Sequence, residues 1–290
     1  MYLSSFVFAT LGTSMVYATI ALGVVIVYRT NKVLPFHVGA LAMLAAYVMS
    51  DYWAVEADGY RGLIIGLAAV FALCIGTGVI LHLLIDKFGE RYGHFVGTVI
   101  TIAASTFMLG LMSLVWRGDV RRLNVPGEVD LLGTSFPTGG VIVFVVGAAI
   151  VIAVLIAMRI TSAGLQMQAV ANNARLAELR RIPVQKVLLV AWIGSSLLAA
   201  SGGIMMAMLS SVSLEGSAIG VSAIVAAVLG GLYSMPFAVF GAVLLALSEN
   251  LVTQFANPRY SEIVPITILV LLLILRPSGL SGSAEHIDRV

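Results

Sequence analysis

The sequence predicts an all-α protein that crosses a membrane many times. Hydrophobic residues make up 60% of its 290 positions and charged residues only 10%, whereas soluble domains carry about 25% charged residues. The apolar residues also stand in long runs, and a helix that crosses a bilayer needs about 20 of them. Because unpaired backbone groups cannot face lipid, these runs should be helices. We therefore expect a single transmembrane domain over residues 1–290, with about eight or nine helices, some of them short or broken.

Charged breaks, or breaks rich in proline and glycine, separate the apolar runs. Residues 1–28 contain no lysine or arginine, so we expect the first run to be a retained span and not a signal peptide. The second and seventh runs are short and contain glycine, which fits half-crossing helices as well as full spans. The predicted spans are residues 8–28, 34–50, 62–85, 95–116, 140–158, 186–209, 218–232, 236–254 and 262–275.

The basic residues predict the orientation, because lysine and arginine accumulate in cytoplasmic loops. The loop of about 159–185 is therefore placed in the cytoplasm, and the loop of about 117–139 outside, although it also carries arginines. The N-terminus and the acidic 51–61 segment are then external, and the tail 276–290 is cytoplasmic. Trp192 falls near an inner span end, where tryptophan tends to anchor at the interface. The basic residues in and beside the cytoplasmic loop are Arg159, Arg175, Arg180, Arg181 and Lys186.

Missing motifs exclude or disfavour several kinds of chemistry. No lysine follows a glycine, so the chain lacks an ATP-binding P-loop. No histidine has a second one at ligand spacing, and we therefore expect no metal site. A net charge of +2 does not indicate a nucleic-acid surface. The loops of about 23–27 residues are too short to fold as a catalytic domain. We interpret Gly-x-Ser triplets such as those ending at Ser14 and Ser222 as packing residues, although an intramembrane serine protease would need such serines. The chain itself is not expected to be an enzyme.

Ionisable residues inside spans are costly and often functional. His37 and His82 stand near span ends, and Glu249 lies within the eighth span. An ion-coupled carrier usually places an acid near the middle of a span, and only Glu249 is a candidate for that role. An ion-coupled secondary transporter that acts alone is therefore the alternative reading of this chain.

The cytoplasmic loop has the alanine-rich composition of one or two short helices, which should end before Pro183. A rigid helix between two spans could transmit the push of a soluble motor to the membrane. A simple surface helix would have the same composition.

The sequence resembles the integral membrane permeases of branched-chain amino acid ABC importers, the LivH-like subunits. The resemblance covers nearly the whole chain and is carried by segments that occur in the same order. These are Gly39–Val48, then Gly164 with Ala169, Ala171, Asn172, Ala177 and Ile182, then Ala226–Leu232 with Ser234 and Pro236, then Gly241 and Glu249, and finally Arg276–Leu280.

The resemblance implies pseudo-symmetric helical halves in a bacterial inner membrane. It also implies a second permease, homologous or identical, two ATP-binding cassette ATPases at the cytoplasmic loop, and a periplasmic substrate-binding protein. ATP and Mg would bind to the partner subunits, and this chain would bind no cofactor. The substrate would be a branched-chain amino acid or a related amino acid, amide or organic acid.

The resemblance also suggests site residues. The pathway candidates are Phe36, His37, Val38, Gly39 and Glu249, with Gly230 and Gly231 allowing close helix approach. The candidates for ATPase coupling are Gly164, Ala169, Ala171, Asn172, Asn173, Ala177 and Ile182. The family usually has polar residues where this chain has Pro35 and Val38, and His37 is displaced by one residue. Because a helix turns about 100° per residue, His37 should point in a different direction from the family's histidine.

Overall fold

The computed structural model of the chain describes residues 2–53, 60–92, 94–123, 125–131, 134–276 and 279–280. Within these ranges the chain is almost entirely helical, and six helices are long and apolar enough to cross a membrane. The predicted class, an all-α polytopic membrane protein, is confirmed. The helices are α1 (Tyr2–Asn31), α2 (Val38–Tyr52), α3 (Tyr60–Tyr92), α4 (His94–Trp116), α5 (Thr138–Ile160), α6 (Ser162–Asn172), α7 (Ala174–Leu179), α8 (Val184–Leu209), α9 (Ile219–Gly230), α10 (Met235–Phe255) and α11 (Val264–Leu275).

Each of the nine predicted spans overlaps one helix, and the expected short second and seventh spans correspond to α2 and α9. These two helices have 15 and 12 residues, or about 22 and 18 Å at about 1.5 Å per residue. A hydrocarbon core of about 30 Å is thicker than that, so neither helix spans it alone. Helix α2 is preceded by non-helical chain. Helix α9 is preceded by a single 3₁₀ turn, Glu215–Ala218.

Helix α1 lies at the centre of the bundle and packs against α5, α8, α9 and α10. In the most apolar stretch of α1, 83% of the residues are buried. The corresponding shares for α3, α4 and α5 are 22%, 17% and 22%. Those three helices are at least as apolar as α1 but leave most of their surface unpacked against protein. In a membrane such faces are the ones that contact lipid. The core therefore forms around α1.

The predicted 117–139 loop contains a β-hairpin that the sequence analysis did not predict. Strands β1 (Glu128–Leu131) and β2 (Thr134–Pro137) pair antiparallel, with Val129 opposite Phe136. An isolated bridge between Arg121 and Val212 ties this segment to the chain after α8. Helix α5 runs from the hairpin to α6, so the hairpin and the α6–α7 unit lie at opposite ends of the bundle.

Some predicted features fall outside the described residues. They are Glu56 and Asp58 of the acidic segment, Pro277 and Ser278 of the last family-like segment, and residues 281–290 of the tail.

Candidate functional site

Helices α2 and α9 begin inside the bundle, and their first turns touch. A Cβ atom on Gly39 would lie 2.2 Å from the carbonyl oxygen of Ser217 and 2.8 Å from Cα of Gly220. In the reverse direction, a Cβ atom on Gly220 would lie 2.5 Å from Cα of Gly39. The two backbones are therefore in direct contact, and only glycine permits this at both positions. Val38, the next candidate, is fully buried beside the same crossing.

The extended chain before α2 is held by a threonine in α4. Thr101 Oγ1 accepts from the backbone N–H of Phe36 at 3.2 Å and lies 2.9 Å from the carbonyl oxygen of Leu34. Thr101 is about 10 Å along α4 from its first residue, so α2 starts well inside the bundle. The half-buried Phe36 side chain lines a cavity of about 380 Å³. Its other lining residues are Ile102, Ser105, Thr106, Glu215, Ser217, Ala218 and Val221.

His37 does not line that cavity but packs towards α8. Its ring centroid lies 5.7 Å from that of Trp192, and both side chains are fully buried. The two ring nitrogens of His37 have no hydrogen-bond partner among the described residues, and the same is true of the indole nitrogen of Trp192. The expectation that Trp192 anchors at the membrane interface is therefore wrong, because its side chain is fully buried in a cluster with Val27, Leu81 and Ile85.

Glu249 is bound by hydroxyl groups from two other helices. The Tyr17 hydroxyl of α1 donates to Oε2 at 2.5 Å, and the Ser222 hydroxyl of α9 donates to Oε1 at 3.3 Å. Only 7% of Glu249 is exposed. The carboxyl group of α10 thus joins three helices at one buried point.

The Glu249 cluster stands at the wall of a cavity of about 550 Å³ between α1, α9, α10 and α11. The charged side chains of its lining are all acidic, namely Glu215, Glu249 and Glu262. Glu215, Ala218 and Val221 also border the Phe36 cavity, so the two cavities flank the start of α9. The remaining lining residues are Tyr17, Met206, Gly216, Ile219, Ser222, Ser261, Pro265 and Ile266.

Gly230 and Gly231 lie at the other end of α9, away from both cavities. A Cβ atom on Gly230 would lie 2.0 Å from the carbonyl oxygen of Phe237, at the start of α10. Gly231 has a φ of +104°, a conformation that glycine adopts without strain. The backbone N–H of Leu280 donates to Leu229 O at 2.9 Å in the same place. Gly230 and Gly231 are therefore separated from the other pathway candidates near the start of α9.

The predicted cytoplasmic helices are present as α6 and α7, which end before Pro183. Gly164 is buried against α5, where a Cβ atom would lie 2.5 Å from Cα of Met158. Gln168 Nε2 donates to the carbonyl oxygen of Met158 at 2.5 Å, and Ala177 is buried. Asn173 caps α7, since its Oδ1 accepts from the N–H of Leu176 at 3.0 Å. Of the coupling candidates, Asn172 and Asn173 are exposed, whereas Ala169, Ala171 and Ile182 are half-buried.

A third cavity, of about 620 Å³, lies between this unit and the ends of the long helices. Asn172 and Asn173 line it from one side, and the end of α1, from Arg29 to Lys32, lines it from another. Gln185 of α8 donates to Asp86 of α3 at 2.8 Å beside it. The α6–α7 unit packs directly against α1, α5 and α8, so a movement of the unit would be transmitted to these helices.

The fold and these cavities define a class of protein. Short helices whose ends meet inside the bundle, beside cavities that contain a few polar groups, are the architecture with which membrane transport proteins bind small solutes. No cluster of three or more metal-ligating side chains occurs in the ranges that the structure describes. The chain is thus a multi-pass membrane transport protein.

Comparison with known proteins gives the family. The chain belongs to the family described as branched-chain amino acid transport system / permease component, whose model matches residues 6–273. It is 26% identical to the high-affinity branched-chain amino acid transport system permease protein LivH of Escherichia coli (strain K12), over 95% of this chain and 94% of that protein. It is 24% identical to BraD of Pseudomonas aeruginosa, a permease protein of the same description, over 93% of this chain and 92% of the relative. A probable LivH of Methanocaldococcus jannaschii is 25% identical over 91% of this chain and 87% of its own length.

Four residues that contribute to the candidate site were not identified as site residues from the sequence. Gly220 is the counterpart of Gly39, and Tyr17 and Ser222 are the partners of Glu249. Glu215 lies between the two cavities. The available signals were a tyrosine in the middle of the first span and an acid just before the seventh.

Proposed function

We propose that this chain is the membrane-spanning permease subunit of an ABC importer, which carries a small substrate across the bacterial inner membrane. The substrate class is a branched-chain amino acid or a related amino acid, amide or organic acid. A second permease, homologous or identical, completes the pathway, two ATPase subunits bind at α6 and α7, and a periplasmic binding protein delivers the substrate. ATP and Mg bind to the ATPases, so this chain is not itself an enzyme.

The observation that carries the proposal is the unpartnered surface of the α6–α7 unit. Leu165, Leu176 and Leu179 are 53%, 58% and 77% exposed. Arg175 and Arg180 are exposed around them. Apolar side chains with a basic rim are the composition of a protein interface, and this unit lies at one end of the bundle, outside the apolar spans.

The buried side of the same unit supports a coupling role. Gly164 and Gln168 fix it to Met158 at the end of α5, and Ala177 packs inward. A force applied to the exposed leucines of the α6–α7 unit is therefore transmitted to rigid helices and not absorbed by a flexible loop. Access to the cavities beside α9 would then alternate as the spans rock.

The basic residues around α6 and α7 support a cytoplasmic position for this end, with an external N-terminus and a cytoplasmic C-terminus. The orientation can be tested with single cysteines, because Cys74 is the one native cysteine and is buried. In a Cys74→Ala background, Val120→Cys should react with a membrane-impermeant maleimide on intact spheroplasts. Leu176→Cys should react only after lysis, and the opposite pattern would invert the topology.

The function is tested by purifying the tagged chain in mild detergent and identifying its partners by mass spectrometry. We expect two P-loop ATPases and a permease partner. Leu179→Asp should reduce ATPase recovery at least about tenfold, because a charge within an apolar contact is costly. Val120→Asp is the matched control, since Val120 is 66% exposed at the opposite end and should leave ATPase recovery unchanged.

Recovery of the chain alone, with solute accumulation in ATP-free vesicles that carry an ion gradient, would contradict the proposal. That result would favour the ion-coupled secondary transporter, with Glu249 as its coupling acid.

A further inference from the structure

The acidic side chains of the cavity beside Glu249 have no basic partner in the described lining. Both carboxyl oxygens of Glu249 accept hydrogen bonds from neutral hydroxyl groups, those of Tyr17 and Ser222. Glu215 and Glu262 add two further acids to the lining, and none of the described lining residues is a lysine, arginine or histidine. An ionised carboxyl group is costly to bury without a cation, so a positively charged occupant would stabilise Glu249 in its ionised form.

The arrangement fits an organic cation better than a metal ion. Within the described part of the chain, these acids do not come close enough together to form a cluster of three metal-ligating side chains. The rest of the lining is mainly apolar, with Met206, Ile219 and Ile266 among its members. The volume of about 550 Å³ lies within the usual range of small-molecule sites, about 300–1,000 Å³.

We infer that Glu249, oriented by Tyr17 and Ser222, binds the primary ammonium group of the transported substrate, whose short aliphatic part packs against the apolar wall of this cavity. The inference rests on the proposed function and narrows its substrate class. Of the amino acids, amides and organic acids, it selects solutes with an ammonium group beside an aliphatic group.

The same lining also predicts that a substrate carboxylate is not recognised in this cavity. No basic side chain in the described lining could pair with a substrate carboxylate, and Glu215 and Glu262 would repel it. An aliphatic amine should therefore bind at least as tightly as the amino acid with the same side chain. The corresponding acid and amide, which lack the ammonium group, should bind much more weakly.

The test is equilibrium binding to the purified full-length chain in nanodiscs, together with any subunits that co-purify but without the periplasmic binding protein. The probes share one aliphatic part: 3-methylbutylamine, leucine, 4-methylpentanoate and 4-methylpentanamide. We expect the amine and leucine to bind, and the acid and amide to bind at least about tenfold more weakly. Glu249→Gln should weaken amine binding by about 10- to 100-fold, the range expected for a lost hydrogen bond to a charged group.

Two serine variants separate recognition from general damage. Ser222→Ala removes one hydroxyl that orients Glu249 and should weaken amine binding by a few fold. Ser248→Ala is the matched control, because its hydroxyl donates to the carbonyl oxygen of Leu244 in the same helix and Ser248 is not among the described lining residues; this variant should bind like the unaltered chain. Gel filtration of each variant shows that it is folded.

Tight binding of the acid or amide would overturn the inference. An amine affinity of the Glu249→Gln variant within twofold of that of the unaltered chain would also overturn it. Occupation of the site by sodium ions alone would do the same. These outcomes are independent of whether ATPases co-purify. A failure of the inference is therefore distinguishable from a failure of the proposed function.

Discussion

Replacing Gly39 with alanine should destabilise the contact between α2 and α9. The new Cβ atom would lie 2.2 Å from the carbonyl oxygen of Ser217. An ordinary van der Waals contact begins at 3.4 Å, so the two segments must separate by about 1.2 Å. The obstructing atoms belong to backbone, including Cα of Gly220, and cannot turn aside as a flexible side chain could. Overpacking of this kind costs about 1–3 kcal/mol.

That loss should appear as a lower temperature of unfolding. At about 2–4 °C per kcal/mol for a large domain, the expected decrease is about 2–12 °C, measured as loss of the monodisperse peak after heating in detergent. Gly194→Ala is the matched control, because a Cβ atom there meets nothing within 4 Å. This control should be neutral or slightly stabilising, since alanine favours helix by up to about 1 kcal/mol over glycine.

The partner glycine gives a sharper test of the same contact. Gly220→Ala should show a similar loss, because its Cβ atom would lie 2.5 Å from Cα of Gly39. Once either methyl group has separated the helices, the second should cost less. The decrease in unfolding temperature of the double variant should therefore be smaller than the sum of the two single decreases. Additive losses, or a Gly39→Ala protein as stable as the Gly194→Ala control, would refute the close crossing.

Two further predictions concern the ends of the bundle. Asn173→Ala removes the cap of α7 and should cost that helix about 1 kcal/mol, which should speed amide exchange in Ala174–Leu179 about fivefold in the purified chain. Unchanged exchange there would show that the cap is unimportant. Asp51→Asn breaks the ion pair with Arg121. Because both side chains are partly exposed, the loss should stay below about 1 kcal/mol and shrink at about 1 M salt. A larger loss that salt does not change would contradict this reading.

The helical framework was predictable because each helix depends on local sequence. Long apolar runs bounded by charges gave the spans, and the alanine-rich segment that ends before Pro183 gave α6 and α7. The glycine-interrupted second span was correctly expected to be short, since Gly39 marks the place where another backbone must approach. These features need no knowledge of distant residues.

Contacts between distant segments were not predictable in this way. Nothing local identifies Ser222 as a partner of Glu249, because the two residues meet only when α9 packs on α10. The position of Trp192 in its span indicates the interface, whereas its burial depends on side chains of α1 and α3, among them Val27 and Leu81. The hairpin was missed because its strands have only four residues each, too few for alternation to stand out. The roles assigned to the pathway and coupling residues stay predictions.

The central position of α1 has a consequence for synthesis. Tyr17 meets Glu249 across 232 residues, so at about 5–20 residues per second α1 waits about 10–50 s for α10 to be made. During that interval its polar side chains need partners of their own. The hydroxyl groups of Thr10, Ser14 and Thr19 each bond to the carbonyl oxygen four residues earlier in the same helix. Helix α1 can therefore rest in lipid with these groups satisfied, and the Tyr17 hydroxyl gains its partner only when the last third of the chain arrives.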